Sequence, residues 1–322
     1  MTDFVHSFFN MDGNLHGRFV QLDSSLSSIL QRHRDRTPEK NTPDQTDTRV
    51  EQLLAETLLL TVLLGNTLKF DGTFSLQTSS DGAVNLLVGD LTTEGALRGY
   101  ARVAPEKLAA TPDTAKPSLL LGDGHLAFSI RQAPQPGDDQ QLAYQGVVIL
   151  TSDGLLQAAL TYFEQSVQLD THLLIAIDQG GAKNGQWRGR GLLLQRLPDH
   201  GGHDENLLAI NDNSNAMRAQ DNWEFASACF ATIKPDELLD YAGTPEAFLR
   251  RLFPLTSLEI AAAKVIRDQC RCSVSRVAGY LQALPAAELQ DLFDEDGKLE
   301  VTCEFCSQGY PFTSKDFPPT TA

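Results

Sequence analysis

The sequence predicts an α+β protein in three parts: an N-terminal domain of mixed sheet and helix, a helical linker, and a small C-terminal zinc-binding module. Three observations carry this reading. Short segments of alternating apolar and polar residues, separated by turn residues and interspersed with a few helical repeats, fill the first two-thirds of the chain. Brief amphipathic helical segments interrupted by Pro235, Gly243 and Pro254 come next. Last come four of the five cysteines, gathered into Cys270-Arg271-Cys272 and Cys303-Glu304-Phe305-Cys306.

In chain order, Phe4, Val5, Phe8 and Phe9 lead to a turn at Gly13, and the alternation of Phe19 and Gln21 with Val20 and Leu22 reads as a strand. A helix is expected from Ser24 or Ser25 through His33, followed by a solvated loop over 34–48 that proline breaks twice. From Asp47, Val50, Leu53, Leu54 and Leu58 mark an amphipathic helix that stops at Gly65-Asn66. Strands are expected over 69–77, 83–89 and 97–103, a proline-rich loop over 104–118, and strands over 125–131 and 142–150. A helix over 154–165 and strands over 171–178 and 186–197, around a Gly180-Gly181 turn, complete a domain set at 1–212.

The linker is set at 213–269. It holds a helical run with Trp223, Phe225, Cys229 and Phe230, a short helix near 236–241, and a clear helix start at Thr244-Pro245-Glu246. Helices of this length are marginal in water and depend on what they pack against. The module is set at 270–312, with two helices between its cysteine pairs and a short strand through Leu299 and Val301, and the tail 313–322 is expected to fray.

Four thiolates in two tight pairs suit a soft cation in a closed tetrahedral shell, so Cys270, Cys272, Cys303 and Cys306 are the expected ligands of one zinc ion per chain. The C-x-x-C half fits a knuckle in which both sulfurs face one ion. The C-x-C half suits an extended approach, with Ser273 and Ser275 starting a helix. Metal-held thiolates are the form that peroxide attacks, so the same residues can hold metal when reduced and form local disulfides when oxidised. A module this small lacks a core sufficient to fold without its metal.

Composition removes several function classes. The chain has 322 residues, 26 Lys and Arg against 42 Asp and Glu, and a formal net charge of −16. Such a surface repels phosphate backbones, which argues against a nucleic-acid zinc ribbon. No apolar run is long enough to span a bilayer, residues 1–10 carry no leader pattern, and paired thiols then point to a reducing cytoplasm. There is no dinucleotide glycine fingerprint, phosphate-binding loop or nucleophile elbow. His200-Gly201-Gly202-His203 reads as an exposed turn and Cys229 as a small packed apolar residue.

Cys270-Arg271-Cys272-Ser273 with Arg276-Val277, Glu300 through Cys306, and Tyr310-Pro311-Phe312 together resemble the heat-shock protein 33 family (33 kDa chaperonins). Leu97-Arg98-Gly99-Tyr100, Tyr162 through Ser166, and Gly191 through Pro198 extend the resemblance over nearly the whole chain. It implies a redox-regulated holdase that needs no ATP and is not an enzyme. Reduced, the four cysteines hold zinc. Oxidised, the resemblance implies, they pair as Cys270–Cys272 and Cys303–Cys306, zinc leaves, the linker melts, and unfolding client proteins are held under oxidative and heat stress. The family also implies a homodimer when oxidised and hand-over of clients to ATP-driven chaperones. Two other readings of the residues alone are a domain with a purely structural metal, and an oxidoreductase using Cys303 and Cys306 as a dithiol. Against the latter, this pair has no thioredoxin-like βαβ setting.

Overall fold

Strands β1 (Phe4–Asn10) and β2 (Leu15–Leu22) form an antiparallel pair, followed by α1 (Ser24–Arg36) and α2 (Thr48–Gly65). Next come β3 (Gly72–Ser80), β4 (Val84–Thr92), β5 (Ala96–Val103), the short helix α3 (Pro105–Ala110), β6 (Gly124–Gln132) and β7 (Ala143–Leu150). Helix α4 (Leu155–Tyr162), widened into a π turn over Phe163–Val167, leads to β8 (Thr171–Asp178) and β9 (Arg188–Arg196). This computed structural model describes residues 2–10, 15–36, 47–67, 70–133, 143–179, 186–197, 212–255 and 257–317. The expected turns at Gly13 and Gly180-Gly181, most of the 34–48 loop, and the His200–His203 turn lie outside them.

The strands make two six-stranded sheets with α2 between them. The first runs β1-β2-β9-β8 in spatial order and the second β5-β4-β3-β6-β7, each extended at one end by strands from later in the chain. Because α2 touches both sheets, it is buried all round rather than along one stripe, as the sequence pattern had suggested. Its two internal threonines satisfy their hydroxyls within the helix, Thr57 on Leu53 O at 2.8 Å and Thr61 on Thr57 O at 2.7 Å. Glycines let the sheets approach so closely. A Cβ on Gly89 of β4 would sit 2.1 Å from Thr61 Oγ1, and one on Gly191 of β9 would sit 2.7 Å from Leu63 Cδ1.

Alternation along the first sheet divides its side chains between two cores. Val5, Val20 and Leu193 face the core around α2. Phe8, Phe19, Leu192 and Leu194 face the other way, into a second cluster. The residues that cover them come from α5 (Asp212–Thr232), α6 (Pro235–Leu239) and α7 (Pro245–Leu252): Trp223, Phe230, Leu238, Phe248 and Leu249, joined by Phe253. Helix α7 starts where Thr244-Pro245 indicated, with Thr244 Oγ1 accepting from Ala247 N at 3.2 Å.

Three features depart from the sequence reading. The proline-rich stretch after β5 contains α3 and a 3-10 turn (Pro117–Leu120), because proline at a first helical position supports a helix start. The linker is not helical throughout: β10 (Leu258–Ile260) and β11 (Lys264–Val265) pair antiparallel with β1, and β12 (Arg267–Asp268) pairs parallel with β5. These strands are two or three residues long, too short for alternation to register. After the first cysteine pair, α8 (Val274–Gln282), α9 (Ala286–Asp291) and the hairpin β13 (Lys298–Thr302) and β14 (Gly309–Thr313) form a unit whose buried core is Leu281, Tyr310 and Phe312. The expected tail is ordered further than 313. Thr313 closes β14, Ser314–Asp316 forms a 3-10 turn, and Phe317 packs on Phe312 and Phe293 at ring-centroid distances of 5.6 and 6.1 Å.

Candidate metal centre

Cys270 and Cys272 follow β12, whose backbone is tied to the second sheet: Arg267 N donates to Gly95 O at 2.9 Å and Gln269 N to Leu97 O at 3.0 Å. Ser273 then caps α8, its hydroxyl accepting from Arg276 N at 3.3 Å, so the chain turns into a helix directly after the second sulfur. Cys303 and Cys306 lie in the connection between β13 and β14. There Ser307 N donates to Cys303 O and Cys303 N to Gln308 O, each at 2.9 Å, and Ser307 takes a left-handed φ of 60°. That turn is the knuckle expected of C-x-x-C.

All four Sγ atoms lie within 4.8 Å of one another. Close approaches between the pairs include Cys270 to Cys303 at 3.7 Å and Cys272 to Cys306 at 3.2 Å, and none of the cysteines is in a disulfide. Zn–S bonds of about 2.3 Å would give tetrahedral edges of about 3.8 Å, so the cluster is close to the size zinc requires. The donor set is all sulfur, half-buried and closed, which fits a structural zinc site with no coordination position left for substrate.

The thiols are not equivalent. Burial pushes the Cys270 thiol up, but the Cys272 backbone amide and thiol, the Arg98 guanidinium and the Cys306 thiol outweigh it and lower the pKa to about 7. Burial raises Cys303, and burial followed by the hydrogen bond with Cys272 raises Cys306. The Tyr310 hydroxyl donates to Cys272 Sγ at 3.0 Å.

The module rests on the outer face of the second sheet. Arg98 of β5 approaches Cys270 Sγ at 3.8 Å, and its guanidinium lies 3.9 Å from the Phe305 ring centroid. The same guanidinium donates twice to Asp90 Oδ2 of β4, at 2.8 and 2.6 Å. Arg271, between the first two cysteines, donates to that Oδ2 at 2.9 Å and also bonds Thr73 of β3. Tyr100 lies 6.2 Å from the Phe305 ring and under the Arg36 guanidinium at 5.2 Å. Just before the cysteines, Asp268 receives Arg32 and Ser28 of α1.

The four sequence-predicted ligands are therefore brought together. Cys229 is not among them; it lies at the rim of the linker cluster beside a cleft of about 590 Å³, where burial raises its thiol pKa. Of the other residues singled out, Gln195 is buried and donates to Thr171 Oγ1 at 3.2 Å, and Glu164 is exposed. Asp90 carried no signal in the sequence, and Arg271 none beyond its place in the cysteine motif, because their contact joins β4 to a residue far along the chain.

Comparison with known proteins agrees with this architecture. The family model described as "Hsp33 protein" matches residues 3–313. The 33 kDa chaperonin of Caulobacter vibrioides is 32% identical over 314 residues, covering 96% of this chain and 94% of that protein. That of Pseudomonas putida is 32% identical over 317 residues, covering 98% and 92%. The crystal structure of the 33 kDa chaperonin from Thermotoga maritima shares the fold with a TM-score of 0.68 at 18% identity, covering 98% of this chain and 96% of that one. With a cysteine cluster built for a metal and a family match over nearly its full length, the chain belongs to the Hsp33 family of chaperones.

Proposed function

We propose that the protein is an ATP-independent holdase whose client surface is covered when reduced and exposed by oxidation of its four-cysteine centre. One observation carries this reading: the four thiols converge on a module whose own core is three residues, so the module's fold depends on what the sulfurs are bonded to. Bound there, zinc would supply cross-links between the two halves of the module, with a folding contribution on the order of ten kcal/mol in small zinc peptides.

Cys270 and Cys272 would close one disulfide and Cys303 and Cys306 the other. Each closure passes two electrons to the oxidant; hydrogen peroxide breaks its O–O bond and leaves as two waters once protons are counted. These bonds run within each pair, whereas an ion held by all four sulfurs would bridge the two pairs. The module's halves then lose their connection, and its seat on the second sheet weakens.

Strands β10 to β12 join the linker helices to that seat, so loosening it frees α5 to α7. The surface then uncovered includes Phe8, Phe19, Leu192 and Leu194 together with the linker's own aromatics, an apolar area suited to segments of unfolding proteins. A homodimer of the oxidised form, hand-over to ATP-driven chaperones, a cytoplasmic setting and the absence of catalysis belong to the same proposal. The test is light scattering of a heat-unfolding client with reduced, zinc-loaded protein and with peroxide-oxidised, metal-free protein. Suppression by the oxidised form alone is expected. Equal suppression by both, or by neither, would remove the redox switch.

A further inference from the structure

Arg98, Asp90 and Arg271 form a charge cluster between the second sheet and the C-terminal module, and its charges do not balance among themselves. Two guanidinium groups share the carboxylate of Asp90, whose side chain is 8% exposed. Among the described residues no other carboxylate bonds either arginine. Ser75 Oγ occupies the second oxygen of Asp90 at 2.6 Å, a neutral partner, and Arg276 adds a further positive charge near Arg271. Among the described residues the further polar contact of Arg98 is the Cys270 sulfur, 3.8 Å from Nη1, a ligand that is a thiolate when it holds a metal. Four thiolates around a zinc dication would carry a net charge of two minus, so the metal-holding state offsets the excess positive charge.

We propose that Arg98 is a positioning residue that ties the bonding state of the Cys270 sulfur to the seating of the module on the second sheet. This rests on the redox reading above and adds the route by which oxidation reaches the sheet. In the reduced form Arg98 has three partners: the Asp90 carboxylate, the Phe305 ring face and the anionic sulfur. When Cys270 and Cys272 join, an S–S bond forms, two electrons pass to the peroxide, whose O–O bond breaks and whose oxygens take two protons from solvent and leave as two waters, and both sulfurs become neutral. Arg98 and Arg271, with side chains 18% and 24% exposed, are left sharing one carboxylate. Like charges held close in a half-buried site destabilise the contact that holds them. Arg98 pulls the module onto β5 in one state and pushes it away in the other.

Hydrogen exchange on the full-length chain reads the seat directly at the amides of Arg267 and Gln269, which donate to β5 and the residue before it. Charge-assisted hydrogen bonds are strong enough to change such an opening equilibrium about ten- to a hundredfold, and wild-type protection should fall by that factor on oxidation. Arg98→Gln should lower protection already in the reduced, zinc-loaded protein, leaving oxidation to change it less than about threefold. Arg98→Lys keeps the charge and should recover most of the wild-type difference.

Because Arg98 lies within β5, Arg271→Gln probes the same cluster from the other side. With one cation removed, the oxidised state is no longer unbalanced, and the oxidation-dependent fall should shrink. An undiminished fall in Arg98→Gln or Arg271→Gln overturns the coupling role, as does Arg98→Lys behaving like Arg98→Gln. Wild-type protection that does not change on oxidation overturns both this inference and the redox reading. A wild-type change that survives in the variants overturns the inference alone.

Discussion

His172 lies between the N-terminal domain and the linker, stacked on Trp223 at 5.2 Å and 10° and on Phe230 at 5.3 Å and 27°, with Nε2 and Ser227 Oγ 3.0 Å apart. Burial lowers its pKa below the ordinary 6.5, and Asp170 acts weakly in the other direction. A histidine whose pKa is depressed in the docked state contributes docking stability that is complete above about pH 6.5 and is lost as pH falls through its docked value. Protection of α5 amides in reduced protein should therefore decline as pH falls below about 6.5, and His172→Gln should flatten that profile. His33, on α1 beneath Ala101 O, shifts in the same direction but faces the second sheet, so a decline that survives in His172→Gln would assign the effect elsewhere. Cys229 makes the opposite case. Its raised pKa and distance from the cluster at metal-ligand spacing predict that Cys229→Ser keeps one zinc per chain and wild-type activation by peroxide. Loss of either would mean that four cysteines are not the whole switch.

At the scale of elements, what was legible in the sequence is what has a period or a punctuation mark. The cysteine knuckle, the Thr244-Pro245 helix start and the paired strands of both sheets announce themselves through spacing and turn residues. The strands β10 to β12 do not, since two or three residues hold no alternation and their partners β1 and β5 lie over a hundred and fifty residues away. The burial of α2 on every side was legible only in part: its run of leucines shows that it is apolar, but the second sheet that covers it is a fact of topology. Of the linker helices, α6 and α7, five and eight residues long, are short enough to need a surface, whereas α5 runs 21 residues, longer than the brief segments the sequence suggests. Leu249 and Phe253 are fully buried against the first sheet, with Phe253 stacked on Phe8 at 5.5 Å. Truncating either to alanine should cost about 2 to 5 kcal/mol of docking, comparable to the stability of a docked segment. Reduced, zinc-loaded Leu249→Ala or Phe253→Ala should show holdase activity in the scattering assay without oxidant. Silent reduced variants would show that the covered face is not the client surface.

In the whole molecule the linker and the cysteine module pack on different sheets. The first sheet has α2 on one face and the linker on the other; the second sheet carries the cysteine module on its outer face. The segment 258–268 runs from one sheet to the other, and Asp268, just ahead of the cysteines, is held by Arg32 and Ser28 of α1. A change at the module therefore has a covalent and hydrogen-bonded path to the linker that does not pass through the core around α2. That separation allows part of the chain to unfold while the rest keeps its structure, and a formal net charge of −16 helps keep such an opened form dispersed. The proposal therefore requires a divided response to peroxide. Amides of α5, α6 and α7 should lose protection together with those of β10 to β12, while amides of β9, held between β2 and β8, and of β8, paired with β9, should keep theirs because both strands also pack on α2. Removing residues 270–322 should reproduce that pattern without oxidant, because it deletes the seat and leaves both sheets of the N-terminal domain intact. If β8 and β9 open along with the linker, oxidation unfolds the domain as a whole; if the linker stays protected in both redox states, activity arises without linker release.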